Sequence, residues 1–177
     1  MTNLLVVSDT HGNYKRLDTV LNKQIALEDK FRPRHLIHLG DGIEDIEKCK
    51  LAEKFCVYSV RGNCDSFFYS EAVPKERIIE LEGCKILIMH GHTYGVKMGI
   101  ASAAAYAAEC GADILMYGHT HAPVSYTLEK GKAVENVVLE KPLIVFNPGS
   151  LGYEGSFGAV SILDNKISCS HGTIGNR

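Results

Sequence analysis

Six short apolar runs punctuate this chain, at residues 4–7, 36–39, 57–60, 86–89, 114–117 and 143–146. They are β-branched or Leu-rich, and unbroken apolar runs of this length suit strands buried on both faces of a sheet that helices cover. Five of the six break off into a polar cluster. The first runs into Ser8-Asp9-Thr10-His11, the second into Gly40-Asp41 and the third into Arg61-Gly62-Asn63. The fourth leads to His90-Gly91-His92 and the fifth to Gly118-His119-Thr120-His121.

Strands of one sheet whose C-terminal ends lie together deliver the residues after them to a single crevice, where open α/β sheets bind ligands. Each of the five ends carries one or two side chains that can coordinate a metal ion. Residues two apart on an extended segment point the same way, so Asp9 with His11 and His119 with His121 are expected to arrive as pairs. Glycine precedes Asp41, Asn63 and His119 directly, which lets the backbone turn sharply and approach a bound ion closely. A lone D-x-H or H-x-H says little; five such ends in register argue for a site. Imidazole and carboxylate donors without thiolate suit Mn, Fe, Zn or Ni, with manganese the favoured expectation.

Between the early runs, Leu17, Val20, Leu21 and Ile25 predict one helix, and Ile43, Ile46 and Leu51 a second. The Ala-rich stretch 97–110, stopped by Gly111, predicts a third. The later chain reads as hairpins about Glu82-Gly83, Asp164-Asn165 and Gly131, the last joining 124–128 to 134–139. Strand–helix alternation followed by hairpins predicts an α/β sandwich of two mixed sheets with helices outside, and one domain over residues 1–177.

With 45% apolar residues, 23% charged and a net charge of −2, the chain has globular composition and no basic surface for nucleic-acid backbone. Stable nucleic-acid binding is therefore not expected. No stretch approaches a membrane span, and the apolar run near Met1 is too short for a signal peptide. The six cysteines form no C-x-x-C pair, so reduced thiols and a cytoplasmic location are expected.

Taken in order, Asp9-x-His11, Gly40-Asp41, Gly62-Asn63-Cys64-Asp65, His90-Gly91-His92 and Gly118-His119-x-His121 resemble the calcineurin-like metallophosphoesterase superfamily, above all its small bacterial and archaeal phosphodiesterases. Asn147-Pro148-Gly149-Ser150 fits a further loop of those small members. The resemblance implies that Asp9, His11 and His121 hold one metal ion, that Asn63, His90 and His119 hold another, and that Asp41 bridges them. Two ions roughly 3.5–4 Å apart can share a water, lower its pKa and clamp the attacked phosphate. Four positive charges against three from Asp9, Asp41 and a bridging hydroxide leave a net positive site that favours an anionic transition state. Asn63, being neutral, preserves that surplus.

Many members of the superfamily place a proton-donating His after the Asn ligand, whereas this chain has Cys64. A thiol with an ordinary pKa of about 8.5 is a poor general acid at neutral pH. Cys64 then lines the site or serves as a small spacer. His92, two residues beyond His90, is the expected alternative contact to phosphate or leaving group, which makes Asp41, Asn63 and His92 the expected catalytic residues. Asp65 is expected to orient its own loop, and Phe67, Phe68 and Tyr69 to offer an apolar wall. His35 and His38 read as packing residues, His171 lacks a partner motif, and Cys49, Cys56, Cys84, Cys110 and Cys169 read as small core residues.

The expectation is a phosphodiesterase acting on small diesters through a metal-bridging hydroxide. The alternatives are a phosphomonoesterase or nucleotidase on the same centre, and a non-catalytic scaffold such as the eukaryotic retromer subunit that shares the fold. A homodimer is an open option, through the surface between Phe67 and Arg77 or through the Ala-rich segment.

Overall fold

The computed structural model describes residues 1–65 and 72–175 of the 177. Phe67, Phe68 and Tyr69 lie outside the described residues. One five-stranded sheet is built from β1 (Thr2–Val7), β2 (His35–His38), β3 (Cys56–Ser59), β11 (Ser156–Leu163) and β12 (Lys166–Thr173), in the order β12-β11-β1-β2-β3. The other is built from β4 (Glu76–Leu81), β5 (Cys84–Met89), β6 (Ile114–Tyr117), β7 (Val124–Leu128) and β10 (Leu143–Asn147), in the order β4-β5-β6-β10-β7. β1 runs parallel to β2, and β2 to β3; β5 runs parallel to β6, and β6 to β10. Every other pairing within the two sheets is antiparallel.

The period of two along each strand sorts side chains between faces. Leu4, Val6 and Ile37 turn inward against Ile86, Ile88, Ile114, Met116 and Phe146 of the facing sheet. Leu5, Val7 and Leu36 turn outward, under Leu17, Val20 and Leu21 of α1 (Tyr14–Ile25). On the far side Leu87, Met89, Leu115 and Val145 lie under Ala103, Ala104 and Ala107 of α3 (Ala101–Glu109). Each large aliphatic buried this way contributes about 1.5–3 kcal/mol. Both faces of the central strands are therefore covered, as their unbroken apolar runs require.

Several local expectations are corrected. The Ala-rich helix starts at Ala101 rather than Lys97, because Gly99 (φ 153°) holds backbone that a helix does not use. Ala103, Ala104, Ala105 and Ala107 of this helix are buried in the core of their own chain. The second helix, α2 (Ile43–Lys48), stops before Leu51, where Cys49 becomes extended and a short 3-10 turn (Lys50–Lys54) comes next. β7 pairs with β10 over five residues instead of turning at Gly131 onto 134–139. That stretch folds into a small hairpin of β8 (Ala133–Val134) and β9 (Val137–Val138), and Val134 is buried against α3. Cys49 and Cys84 are buried and Cys110 and Cys169 partly so, but Cys56, at the start of β3, is exposed. No helix among the described residues is long and apolar enough to cross a membrane.

The five chemistry-bearing strands do not share one sheet. β1, β2 and β3 end in one and β5 and β6 in the other, and their C-terminal ends meet along one edge of the sandwich. The crevice lies between two sheets, not along one.

Candidate metal centre

At that edge the backbone is knitted before any side chain is considered. The Asp9 and His11 amides donate to the carbonyls of Gly40 and Asp41, both at 3.0 Å, and the Gly118 amide donates to the His90 carbonyl at 3.2 Å. Asp9, His11, Asp41, His119 and His121 all take left-handed backbone, with φ between 46° and 66°. The other non-glycine residues with positive φ, Glu82, Glu135, Asp164 and Asn165, sit in the turns of hairpins. A non-glycine residue in this region carries strain of order 1 kcal/mol or more, and such residues gather at functional sites. The pairs Asp9/His11 and His119/His121 are thus not delivered by an extended segment. His119 and His121 in fact part company, His121 joining Asp9 and His11 while His119 joins Asp41 and His90.

Asp9 is fully buried and its two oxygens have different tasks. Oδ2 accepts from Ser8 Oγ at 2.5 Å and from the His119 amide at 3.1 Å. Oδ1 has no hydrogen-bond partner and stands 3.1 Å from His121 Nε2 and 3.7 Å from His11 Nε2. The two imidazole nitrogens are themselves 3.4 Å apart. Asp41 leans both ways, its Oδ2 lying 3.3 Å from His90 Nε2 and 4.0 Å from His11 Nε2. Its Oδ1 accepts the Cys64 amide at 2.8 Å.

His90 is the most informative ligand candidate. Its Nδ1 lies 2.7 Å from the Leu39 carbonyl, which can only accept, so Nδ1 carries the proton and the Nε2 lone pair points into the site. That nitrogen is buried without a hydrogen-bond partner and faces a carboxylate oxygen. Two acceptors face to face need a cation or a proton between them. Burial pushes His90 down, but contact with Asp41 and the charge of Asp9 outweigh it and raise its pKa. Burial alone would raise the Asp41 carboxyl, yet His90 and the Cys64 amide hold it well below the usual carboxylate range. His119 is pushed down to about 4, chiefly by burial with His90 and Lys97 adding, so it stands neutral as a ligand imidazole must.

The remaining candidates flank this core. Asn63 is exposed at the rim and its Nδ2 donates to Cys64 Sγ at 3.2 Å, leaving its carboxamide oxygen as the available donor. Cys64 Sγ lies within reach of His11 and Asp41, and burial together with Asp41 pushes the thiol up to about 11. His92 sits in a 3-10 turn, its ring 5.4 Å from that of His90 and 6.2 Å from that of His119, and burial with His90 lowers its pKa. A cleft of about 270 Å³ opens beside His11, Asp41 and Cys64 toward Glu44 and Lys48.

The glycines act by close approach: Gly40 lies against the Gly62 backbone, where a Cβ would fall 2.5 Å from its nitrogen, while Gly62 and Gly118 lie against the carboxylates and their partners. A Cβ on Gly62 would fall 2.0 Å from Asp41 Oδ1, and one on Gly118 would fall 2.0 Å from Ser8 Oγ and 2.9 Å from Asp9 Oδ2.

Asp65, expected to orient its own loop, reaches further than that, and other supporting residues escape sequence reasoning. The Asp65 carboxylate accepts four amides, from Asp41 (2.8 Å), Gly42 (2.7 Å), Ile43 (2.9 Å) and Gly62 (2.7 Å), tying two ligand loops together. Asp45, fully buried, accepts the Gly12 amide at 2.9 Å beside His11. His38 does more than pack: its Nδ1 accepts the Gly40 amide at 3.2 Å and its Nε2 lies 3.3 Å from Thr10 Oγ1. Asn147 donates to the Gly118 carbonyl at 3.0 Å, and His171 stacks on Phe146 with its Nε2 2.8 Å from the Asn147 carbonyl. Apart from Asp65 in its Gly-Asn-Cys-Asp block and Asn147 in the Asn-Pro-Gly-Ser run, these residues belong to no local pattern, so no sequence signal pointed to them.

A family model described as the calcineurin-like phosphoesterase superfamily domain matches residues 2–166. The chain is 32% identical over 149 residues to a probable metallophosphoesterase, YsnB, of Bacillus subtilis, covering 84% of this chain and 75% of that protein. It is 28% identical over 189 residues to the phosphodiesterase YfcE of Escherichia coli K12, covering 94% and 90%. Among solved structures, a conserved protein of Streptococcus pneumoniae described as a predicted phosphoesterase superposes with a TM-score of 0.72 at 24% identity, over 97% of this chain and 89% of that one. At that identity the likeness speaks for the fold.

Proposed function

The chain belongs to the calcineurin-like phosphoesterase superfamily, and on that premise we propose that it is a dinuclear metal-dependent phosphodiesterase of small diesters. That it is a metal-dependent phosphoric ester hydrolase follows from the family and its named relatives. The observation that carries the finer reading is the pair of ligand groupings, Asp9-His11-His121 and Asp41-His90-His119, with Asp41 also within 4.0 Å of His11. Asn63 completes the second group from the rim. The buried Asp9 Oδ1 and His90 Nε2 fit divalent ions, and among the described residues no hydrogen-bond partner serves either atom.

Bound there, two divalent ions supply Lewis-acid activation of the attacking water and positive charge for the phosphoryl oxygens. Manganese is the ion we expect to serve best, with nickel, iron and zinc as lesser candidates. The protein's part is positional. Ser8 and the His119 amide fix Asp9, Leu39 fixes the His90 tautomer, and Asp65 fixes both loops flanking the bridge. His92 donates a hydrogen bond to a phosphoryl oxygen as charge builds on it. His92→Ala should lower kcat by about 10²–10³-fold, the cost of one such donor. Metal content by atomic emission should stay at the wild-type level, and a drop would make His92 a ligand instead.

Cys64, with its thiol pushed up to about 11, is held by its neighbours as a poor proton donor to a leaving oxygen. Diesters with good leaving groups are therefore the favoured substrates, ahead of monoesters. The test compares kcat/KM for bis(4-nitrophenyl) phosphate and 4-nitrophenyl phosphate, which share a leaving group. Higher kcat/KM for the diester is expected, and preference for the monoester would overturn the assignment in favour of a phosphomonoesterase or nucleotidase. On this reading residues 1–177 form one catalytic domain, and six free cysteines suit the reducing cytoplasm. A site with every ligand position filled also speaks against a purely scaffolding role.

A further inference from the structure

Tyr153 has no place in the metal centre, yet its ring stands at the edge of it. Its centroid is 5.1 Å from that of His11 and 5.2 Å from that of His121, while the residue remains 58% exposed. Large aromatics left this open cost burial that the fold does not recover, and a lone one on a loosely held loop would need no explanation. Here the backbone is pinned. Leu151 and Gly152 donate to the carbonyls of Ser8 and Asp9, both at 3.0 Å, and the Tyr153 amide donates to Ser150 Oγ at 3.1 Å. Arg16 Nη1 donates to the carbonyls of Gly152 at 2.9 Å and Tyr153 at 2.6 Å. Gly152 lies so close to the first ligand loop that a Cβ would fall 2.4 Å from the Thr10 carbonyl oxygen. A rigidly mounted, open ring beside a phosphate site is a stacking platform whose ordering cost is already met.

We infer that Tyr153 selects phosphodiesters whose retained ester group, the one that stays on phosphorus, carries a planar ring, a nucleobase or an aryl group, by stacking that ring on its own. This deepens the phosphodiesterase reading above and rests on it. Stacking of a base on an aromatic side chain is sequence-tolerant and is lost on truncation to alanine by roughly 5-fold to 150-fold.

Three esters that share a 4-nitrophenyl leaving group test it: methyl, phenyl and thymidine-5′ 4-nitrophenyl phosphate, assayed with the metal-loaded enzyme and its Tyr153→Ala and Tyr153→Phe variants. The wild type should favour the two esters whose retained group is a ring over the methyl ester in kcat/KM, the shared 4-nitrophenyl leaving group cancelling from the comparison. Tyr153→Ala should cut that ratio by about 10-fold or more, and Tyr153→Phe should keep it. A nucleobase platform favours the thymidine ester, and a general aryl platform favours both. Equal loss on all three esters would overturn the inference and make Tyr153 a support for His11 and His121; no loss would overturn it outright. A second reading does not depend on turnover. Calorimetric titration with thymidine 5′-monophosphate and with methyl phosphate should show tighter nucleotide binding that Tyr153→Ala abolishes. If no ester is hydrolysed with any metal, the phosphodiesterase reading falls, whereas the nucleotide's binding advantage still decides the role of the ring.

Discussion

Asp41→Asn should lower kcat/KM toward an aryl phosphodiester by at least about 10³-fold while leaving the protein folded. The substitution keeps the shape of the side chain, so the Cys64 amide still finds an oxygen where Asp41 Oδ1 stood, 2.8 Å away. What it removes is the charge that leans toward both groupings, 3.3 Å from His90 Nε2 and 4.0 Å from His11 Nε2. A carboxamide offers one oxygen and an NH₂ in place of two anionic oxygens, so it cannot serve two cations at once. Metal content should fall from two ions per chain toward one, while far-ultraviolet circular dichroism stays unchanged. Activity within 10-fold of the wild type would remove Asp41 from the centre of the account.

Asp65→Ala is expected to be the most damaging change outside the ligand set. Its carboxylate holds four amides, and Oδ1 and Oδ2 each serve two of them. Charge-assisted hydrogen bonds are individually worth about 1.5–3 kcal/mol, and amides left without an acceptor add a desolvation cost. The bonds are partly exposed and share one anion, so a net loss on the order of 3–4 kcal/mol is a fair expectation. Asparagine is no rescue, since either orientation of the carboxamide turns an NH₂ toward two amide donors. Because those amides belong to the loops of Asp41 and Gly62, metal affinity should fall by about 10–100-fold as well. Denaturant unfolding and a metal titration on the same variant read the two effects. Near-normal stability together with normal affinity would show that the loops hold themselves.

How much of this was legible in the sequence depends on which physical scale set the answer. The strands were legible because burial on both faces leaves unbroken apolar runs, as in 4–7, 86–89 and 114–117. The ligand candidates were legible because polar residues ended those runs so abruptly. Topology was less so. Nothing within 57–60 or 86–89 says that one strand joins the first sheet and the other the second, since both are mainly apolar runs of the same length. Backbone conformation was misjudged for a related reason. Alternation predicts extended pairs, but Asp9, His11, His119 and His121 are left-handed, and the amides of Asp9, His11 and His119 donate to loops far away in the chain. Asp45 and Tyr153 were opaque on the same count, and of Asp65 only the hold on its own loop was legible. A carboxylate that grips backbone amides looks, in sequence, like any other surface acid, and their roles exist only once four loops have met.

The central claim is that two divalent ions held by these residues perform the hydrolysis. The direct measurement is a titration of chelated, metal-free enzyme with Mn²⁺, tracking bound metal and hydrolysis of bis(4-nitrophenyl) phosphate together. Activity should be absent without metal, rise with it, and saturate at two ions per chain, with His90→Ala and Asp9→Ala each failing to reach that ratio. Hydrolysis by the metal-free protein, or full activity with neither ion bound at these residues, would contradict it.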